Sequence, residues 1–208
     1  MHYPAASAYT LESIINALAD PGWLVLNDFV SPAWCRQLRA DAEQLLPHFC
    51  AAGIGHHQDY QQQSTIRGDR IGWLDDLPST TAISAYQQRL QQLQTALNRQ
   101  LYLGLDHFEG HLASYAPGRG YQRHYDQFHD SDARVVTTIL YLNPDWQPAD
   151  GGLLRLWPAP QQAPNQVIDI APIGGRLVIF LSDRYPHQVL PAAAPRFSLT
   201  GWFRRRPS

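Results

Sequence analysis

Lysine is absent from this chain of 208 residues: all sixteen basic side chains are arginine. Chemistry that needs a lysine amine, such as a lysine Schiff base or a P-loop phosphate contact, is therefore excluded. Cysteine is nearly as scarce, at Cys35 and Cys50 only. Two thiols cannot build a disulfide framework, and nothing points to an oxidising compartment, so a cytoplasmic location is expected. Cys35 falls in a helical stretch and is expected to be buried and inert. No apolar run approaches the ~20 residues a membrane helix needs; the best is 177–181. The first residues, Met1 to Ser7, lack a basic region followed by an apolar stretch, so no secretion signal is expected. Net charge is only −2, which argues against general affinity for nucleic acid. The one basic cluster, Arg204-Arg205-Arg206, reads as a solvated tail.

Hydrophobic residues make up 44% of the chain and charged residues 16%, which fits one domain able to bury its own core. Leu11, Ile14, Ile15 and Leu18 recur at helical spacing over 10–19, and Pro21-Gly22 ends the run. Residues 23–29 read as a strand. Ser31-Pro32 is an N-cap with proline at the first helical position, opening a helix to about Leu46. Residues 47–66 are polar and rich in His and Gln, and read as a loop. Ser79 is the expected cap of a third helix to about Leu101, with Leu90, Leu93 and Leu97 on one face. From Phe108 the texture changes to short β-rich runs at 108–116, 121–126, 134–142, 152–157, 166–170, 175–181, 186–190 and 196–203, separated by Pro and Gly turns. Helices first and about eight strands afterwards imply a helical layer on a β-sandwich, jelly roll or barrel.

Within that β region lies a candidate metal site. His124-Tyr125-Asp126 falls in an expected strand, where residues i and i+2 share a face. With nine His and fifteen Asp, chance alone yields roughly 0.6 such triplets. A second one, His57-Gln58-Asp59, sits in the polar loop and is read as incidental. Downstream context distinguishes the first. His187 follows in another β-rich segment, and Arg196 opens the final strand. Two His and one carboxylate on one face of an octahedral ion suit Fe(II) and leave three positions open. A fixed guanidinium beyond the metal can hold the far carboxylate of a dicarboxylate through a bidentate pair. His107 and His111 flank Glu109, but a strand is expected to place Glu109 across the pleat, so no second metal site is expected there.

These residues, with Ile66–Trp73, Tyr115-Ala-Pro-Gly, Tyr121–Asp126, Arg134–Trp146, Gly151–Pro158, Ser182–His187 and Arg196–Trp202, resemble the 2-oxoglutarate/Fe(II)-dependent dioxygenases. Within them the chain is most similar to the prolyl 4-hydroxylases related to the hypoxia-inducible-factor prolyl hydroxylases. The resemblance implies the α+β class: a double-stranded β-helix (jelly roll) over about 108–203, with N-terminal helices from about 10–101 packed on one sheet. It implies Fe(II) at His124, Asp126 and His187. It also implies 2-oxoglutarate on Arg196 and Tyr141, with Tyr115 in the same pocket and Thr200 near co-substrate and metal. O2 is the other co-substrate, and ascorbate a reductant. No catalytic residue is implied beyond these ligands. Asp69 resembles a loop acid that pairs with the residue at Arg134, and Arg134 and Trp202 would border a peptide entrance. The Ile66–Trp73 segment and the polar loop before it are expected to close over the peptide. The polar 53–65 stretch and the short end after Trp202 depart from the animal pattern.

The implied activity is 4-hydroxylation of a prolyl residue in a protein, giving succinate and CO2. Elongation factor Tu is the first candidate substrate if the source is bacterial. Oxidation of a small molecule or free amino acid on the same scaffold is an alternative, and a catalytically silent β-sandwich that binds a partner is another. Nucleic-acid demethylases of the superfamily carry a second Arg six residues after the co-substrate Arg; here that position is Trp202, so neither a nucleic acid nor a membrane is an expected partner.

Overall fold

The computed structural model describes residues 10–53, 66–127 and 131–206, and the backbone of 5–6. Three helices precede most of the strands. α1 (Leu11–Ala19) is capped by Thr10, whose side chain accepts from Ser13 N. α2 (Pro32–Leu45) is capped by Ser31, with proline in its first turn. α3 (Thr81–Leu101) is capped by Thr80 rather than Ser79. The Thr80 hydroxyl accepts from Ile83 N and donates to Asp41, whereas the Ser79 hydroxyl bonds Ser84. Two adjacent hydroxyls made both positions plausible caps; the one that also reached a buried carboxylate took the role.

Among the described residues, twelve strands make two sheets facing each other, a jelly roll. The strands are β1 (Ala5–Ala6), β2 (Trp23–Leu26), β3 (Cys50–Ala51), β4 (Asp69–Trp73), β5 (Leu105–Tyr115), β6 (Tyr121–His124), β7 (Arg134–Tyr141), β8 (Leu154–Leu156), β9 (Ile168–Ile170), β10 (Leu177–Leu181), β11 (His187–Val189) and β12 (Arg196–Arg205). The larger sheet has the order β1-β2-β10-β7-β12-β5-β4-β3, and the smaller β6-β11-β8-β9. All eight runs expected after Phe108 are strands.

Three local readings are corrected. Ile66–Trp73 is not a free loop, because Asp69–Trp73 pairs along β5 from Tyr115 to His111. Its alternation Asp69, Ile71, Trp73 is the period of two that a strand requires. Of the three arginines at 204–206, only Arg206 is a solvated end. Arg204 and Arg205 extend β12; Arg204 pairs with Glu109 at 3.3 Å and Arg205 with Asp132. Asp126 lies just past the end of β6 rather than within a strand.

Alternation along the long strands builds two cores. Leu112, Leu140, Leu177, Ile179, Leu199 and Phe203 point out of the larger sheet and bury against Ile14, Leu18, Leu38 and the Ile83–Leu97 face of α3. Val178, Phe180, Ile139, Tyr141, Leu154 and Ile170 point between the sheets. Truncating any one of these to Ala would cost about 2–5 kcal/mol. Cys35 lies in the first core, 1% exposed, and burial raises its thiol pKa. The helices thus stiffen the back of the larger sheet, and its other face is free to line a cavity. Among the described residues no helix is long and apolar enough to cross a membrane.

Candidate metal centre

Between the sheets lies a cavity of about 310 Å³, the size of a small-ligand site. At its wall β6 ends and β11 begins, and register places His124 directly opposite His187. Asp126 follows two residues after His124. One ligand atom from each of the three falls within 4.8 Å of the others. His124 Nε2 is 3.6 Å from one Asp126 oxygen, and His187 Nε2 is 3.5 Å from the other. His57-Gln58-Asp59 lies outside the described residues.

The groups behind these side chains fix their chemistry. His124 Nδ1 donates to Gln122 O at 2.7 Å and His187 Nδ1 to Tyr185 O at 3.1 Å. Protons held on Nδ1 leave both Nε2 lone pairs directed at the same point. Burial pushes His187 down to about 4, against the pull of Asp126, so its imidazole is neutral at pH 7. Burial alone would raise the Asp126 carboxyl. His187 and His124 outweigh burial and hold it well below the usual carboxylate range. Thr137 donates to Asp126 Oδ2 at 2.8 Å and is itself bonded to Ser182 at 2.8 Å, both hydroxyls fully buried. Two imidazoles and a carboxylate, with no thiolate, form a donor set that fits Fe(II).

Arg196 lines the same cavity, 4% exposed. It opens β12 opposite Tyr115. Its Nε donates to Gly152 O at 2.9 Å, and its Cζ lies 5.0 Å from the Tyr115 ring centre and 5.1 Å from that of Tyr141. Gly152 is required here: a Cβ would stand 2.8 Å from Arg196 Cδ, on a backbone with φ +68°. Among the described residues no carboxylate pairs with the Arg196 guanidinium. A buried cation without a counter-charge is costly, so the site fits an anionic ligand. Burial raises the Tyr115 hydroxyl pKa well above its ordinary value, leaving a phenol donor. Thr200, half-buried, also lines the cavity and bonds Ser198 at 3.3 Å.

Residues 110–204 match the family model described as the 2OG-Fe(II) oxygenase superfamily. A Pseudomonas putida prolyl-4-hydroxylase crystal structure is similar, at 41% identity and a TM-score of 0.83, covering 95% of this chain and all of that one. The chain belongs to the 2OG-Fe(II) oxygenases, in their prolyl hydroxylase branch. A Trichoplax adhaerens prolyl hydroxylase, solved with a hypoxia-inducible-factor oxygen degradation domain peptide fragment, has 30% identity and a TM-score of 0.77, covering 93% and 88% of the two chains. The Caenorhabditis elegans hypoxia-inducible factor prolyl hydroxylase is 33% identical over 94% of this chain, which spans 28% of that protein. The family's cofactor is Fe(II), and its co-substrates are 2-oxoglutarate and O2.

In this prolyl hydroxylase fold the cavity mouth differs from the expected wiring. Asp69 pairs bidentately with Arg67, at 2.8 and 3.1 Å, not with Arg134. Arg134 instead pairs with Glu109 at 3.1 Å and lies over the Trp202 ring, its Cζ 3.4 Å from the centroid. The Arg67-Gly-Asp69 sequence itself carried the signal, since i and i+2 of an extended segment share a face. Burial works against the Arg67 charge, and Asp69 outweighs it. Trp202 lines the cavity but is 4% exposed, beneath Arg134 rather than open at an entrance. Glu109 is not displaced across the pleat: Glu109 and His111, two apart on β5, both face the cavity. The sequence reading gave no site role to Thr137, Tyr121 or His111. Tyr121 stacks on His124 with ring centres 3.6 Å apart.

Proposed function

We propose that this chain is an Fe(II)- and 2-oxoglutarate-dependent oxygenase that 4-hydroxylates a prolyl residue in a protein. The observation that carries this is one cavity holding both a buried His-Asp-His cluster and a buried arginine that has no counter-charge among the described residues. His124, Asp126 and His187 hold the iron through two Nε2 atoms and a carboxylate oxygen. Arg196, oriented by the Gly152 carbonyl, takes the C5 carboxylate of 2-oxoglutarate. Tyr141 and Tyr115 wall the same end, and Thr200 lies near the co-substrate. When bound, Fe(II) with 2-oxoglutarate and O2 supplies the oxidation: the 2-oxo acid loses CO2 to become succinate and one oxygen atom goes to the substrate. The chain's own part is geometric and electrostatic. Thr137 and Ser182 pin Asp126, the two backbone carbonyls fix the imidazole tautomers, and the apolar wall of Ile139, Leu154 and Val189 keeps water out.

A prolyl substrate is supported by the relatives at 41% and 30% identity, one named a prolyl-4-hydroxylase and the other solved with a peptide. The exposed Tyr125 ring and the Arg67–Asp69 and Arg134–Glu109 pairs frame a mouth suited to a peptide chain. Elongation factor Tu is the first protein to test. Incubation with Fe(II), 2-oxoglutarate and O2, followed by peptide mass spectrometry, should show one added oxygen on a prolyl residue and stoichiometric succinate. Turnover of 2-oxoglutarate driven only by free amino acids or other small molecules would overturn the protein substrate.

A further inference from the structure

Of the three metal ligands His124 is the least enclosed. Its side chain keeps 19% of its surface exposed, against 7% for Asp126 and 4% for His187. His187 packs edge-on against Phe180 at 5.0 Å, and Asp126 is pinned by the buried Thr137 hydroxyl. The bond from His124 Nδ1 reaches only the carbonyl of Gln122, two residues back on its own short strand. One hydrogen bond fixes a point on the ring and leaves its plane free to tilt. The direction of Nε2 therefore needs a second constraint.

An irregular strand supplies it. In a regular strand residues i and i+3 point to opposite faces, which would put Tyr121 across the sheet from His124. The pairing of β6 with β11 is not regular. His124 stands opposite His187 and Tyr121 opposite Val189, so three steps along β6 match two along β11. The extra residue makes a β-bulge. Gln122 and Arg123 both turn to solvent, while Tyr121 and His124 are both half-buried and line the cavity. Bulges recur beside active sites, where they re-aim a side chain. Here the result is a stack: the Tyr121 and His124 ring centres are 3.6 Å apart and the planes 18° from parallel.

Tyr121 is held in turn by the segment that leads into β4 of the larger sheet. Arg67 bridges Tyr121 in antiparallel pairing, Gln122 N donates to Ile66 O at 2.9 Å, and Gly68 N donates to Gly120 O at 2.9 Å. The Arg67 guanidinium lies over the Tyr121 ring, its Cζ 4.8 Å from the centroid. That guanidinium is fixed by Asp69 at 2.8 Å and by Gly53 O at 3.3 Å. Asp69, Arg67, Tyr121 and His124 thus form a chain of contacts from the cavity mouth to the metal cluster.

We propose that Tyr121 is a positioning residue: its ring, brought alongside by the β6 bulge and backed by Arg67, holds the His124 imidazole in the plane that aims Nε2 at the iron. The inference rests on the iron reading of His124, Asp126 and His187 above, and not on the identity of the substrate. The test is the Fe(II) affinity of the full chain, measured without O2 by equilibrium dialysis against a competing chelator. Tyr121→Leu, which keeps an apolar side chain but removes the ring plane, should weaken Fe(II) binding roughly tenfold, the usual loss when a group that orients a metal ligand is removed. Tyr121→Phe, which keeps the plane and lacks only the hydroxyl, should stay within twofold of wild type. With iron saturating, 2-oxoglutarate affinity by the same dialysis should change less than twofold in either variant. Should the leucine variant not fold, Tyr121→Val, which suits a strand, replaces it with the same expectations. Unchanged Fe(II) affinity in the leucine variant overturns the proposal alone. So does a phenylalanine variant as weak as the leucine one, or a leucine defect confined to 2-oxoglutarate or to the prolyl substrate. Failure of the wild-type chain to bind Fe(II), or equally tight binding by His124→Ala, overturns the iron reading and this one together.

Discussion

The two sheets divide the chemistry unequally. The smaller sheet is made of strands of three or four residues, yet it brings His124 and His187 face to face. The larger sheet pairs strands of ten and eleven residues, and every second side chain of β5 and β12 from Tyr115 to Glu109 and from Arg196 to Trp202 lines the cavity. Short strands cannot set ligand positions by register alone. Precision comes from the carbonyls of Gln122 and Tyr185 behind each imidazole, and from Thr137 of the larger sheet behind Asp126. Long strands present a graded wall, from the buried cation at one end to the indoles at the other. Metal binding should therefore fail through the smaller sheet, and binding of the organic ligands through the larger.

Removing a metal ligand should have the largest effect. His124→Ala and His187→Ala should each abolish 2-oxoglutarate turnover and lose bound iron by metal analysis; wild-type turnover in both would sink the metal assignment. Next comes Arg196→Ala. Loss of a buried charge-assisted pair costs on the order of 2–5 kcal/mol, raising KM for 2-oxoglutarate roughly 30- to several-thousand-fold, while iron content stays intact. Tyr141→Phe should shift the same constant in the same direction by only about fivefold, the value of one neutral hydrogen bond. A shift in iron affinity instead would erase the division between the sheets.

Stability separates the mouth from the metal cluster. Asp69→Ala strands the buried Arg67 cation and should lower unfolding free energy by about 3 kcal/mol in urea titration. A loss below about 0.5 kcal/mol would mean that the pair is only a solvated contact. The smaller of the two stability effects concerns acid. His111 has a folded pKa of about 3, below the ~6.5 of an unfolded histidine. Between those values the unfolded chain binds the extra proton, so this contribution is present above pH 6.5 and is lost as pH falls towards 3. Urea titrations of the metal-free protein at pH 6.5 and 4.5 should differ by up to about 2 kcal/mol more in wild type than in His111→Leu. Equal pH dependence in the two would show that His111 is not held neutral.

Much of this arrangement was readable from residue order. The helix cap at Ser31, the eight β-rich runs after Phe108 and the His-x-Asp followed by His187 and Arg196 all rest on local chemistry and spacing. Less legible was anything decided across strands. Whether Asp69 met Arg67 or Arg134 depended on β4 joining the larger sheet beside β5; the i, i+2 spacing of Arg67 and Asp69 signals their pairing only once that segment is known to be extended. His111 resembled any histidine in a strand until Trp73 and Trp202 were placed on either side of it. The role of Thr137 needed β7 to pass behind Asp126, eleven residues earlier in the chain.

The central claim is that one cavity binds iron through the smaller sheet and 2-oxoglutarate through the larger. Equilibrium dialysis without O2 tests it most directly, measuring Fe(II) and 2-oxoglutarate bound per chain in wild type, His187→Ala and Arg196→Ala. The account predicts one of each for wild type, no iron for His187→Ala, and full iron with greatly weakened 2-oxoglutarate for Arg196→Ala. Full iron binding by His187→Ala, or unchanged 2-oxoglutarate affinity in Arg196→Ala, would contradict it.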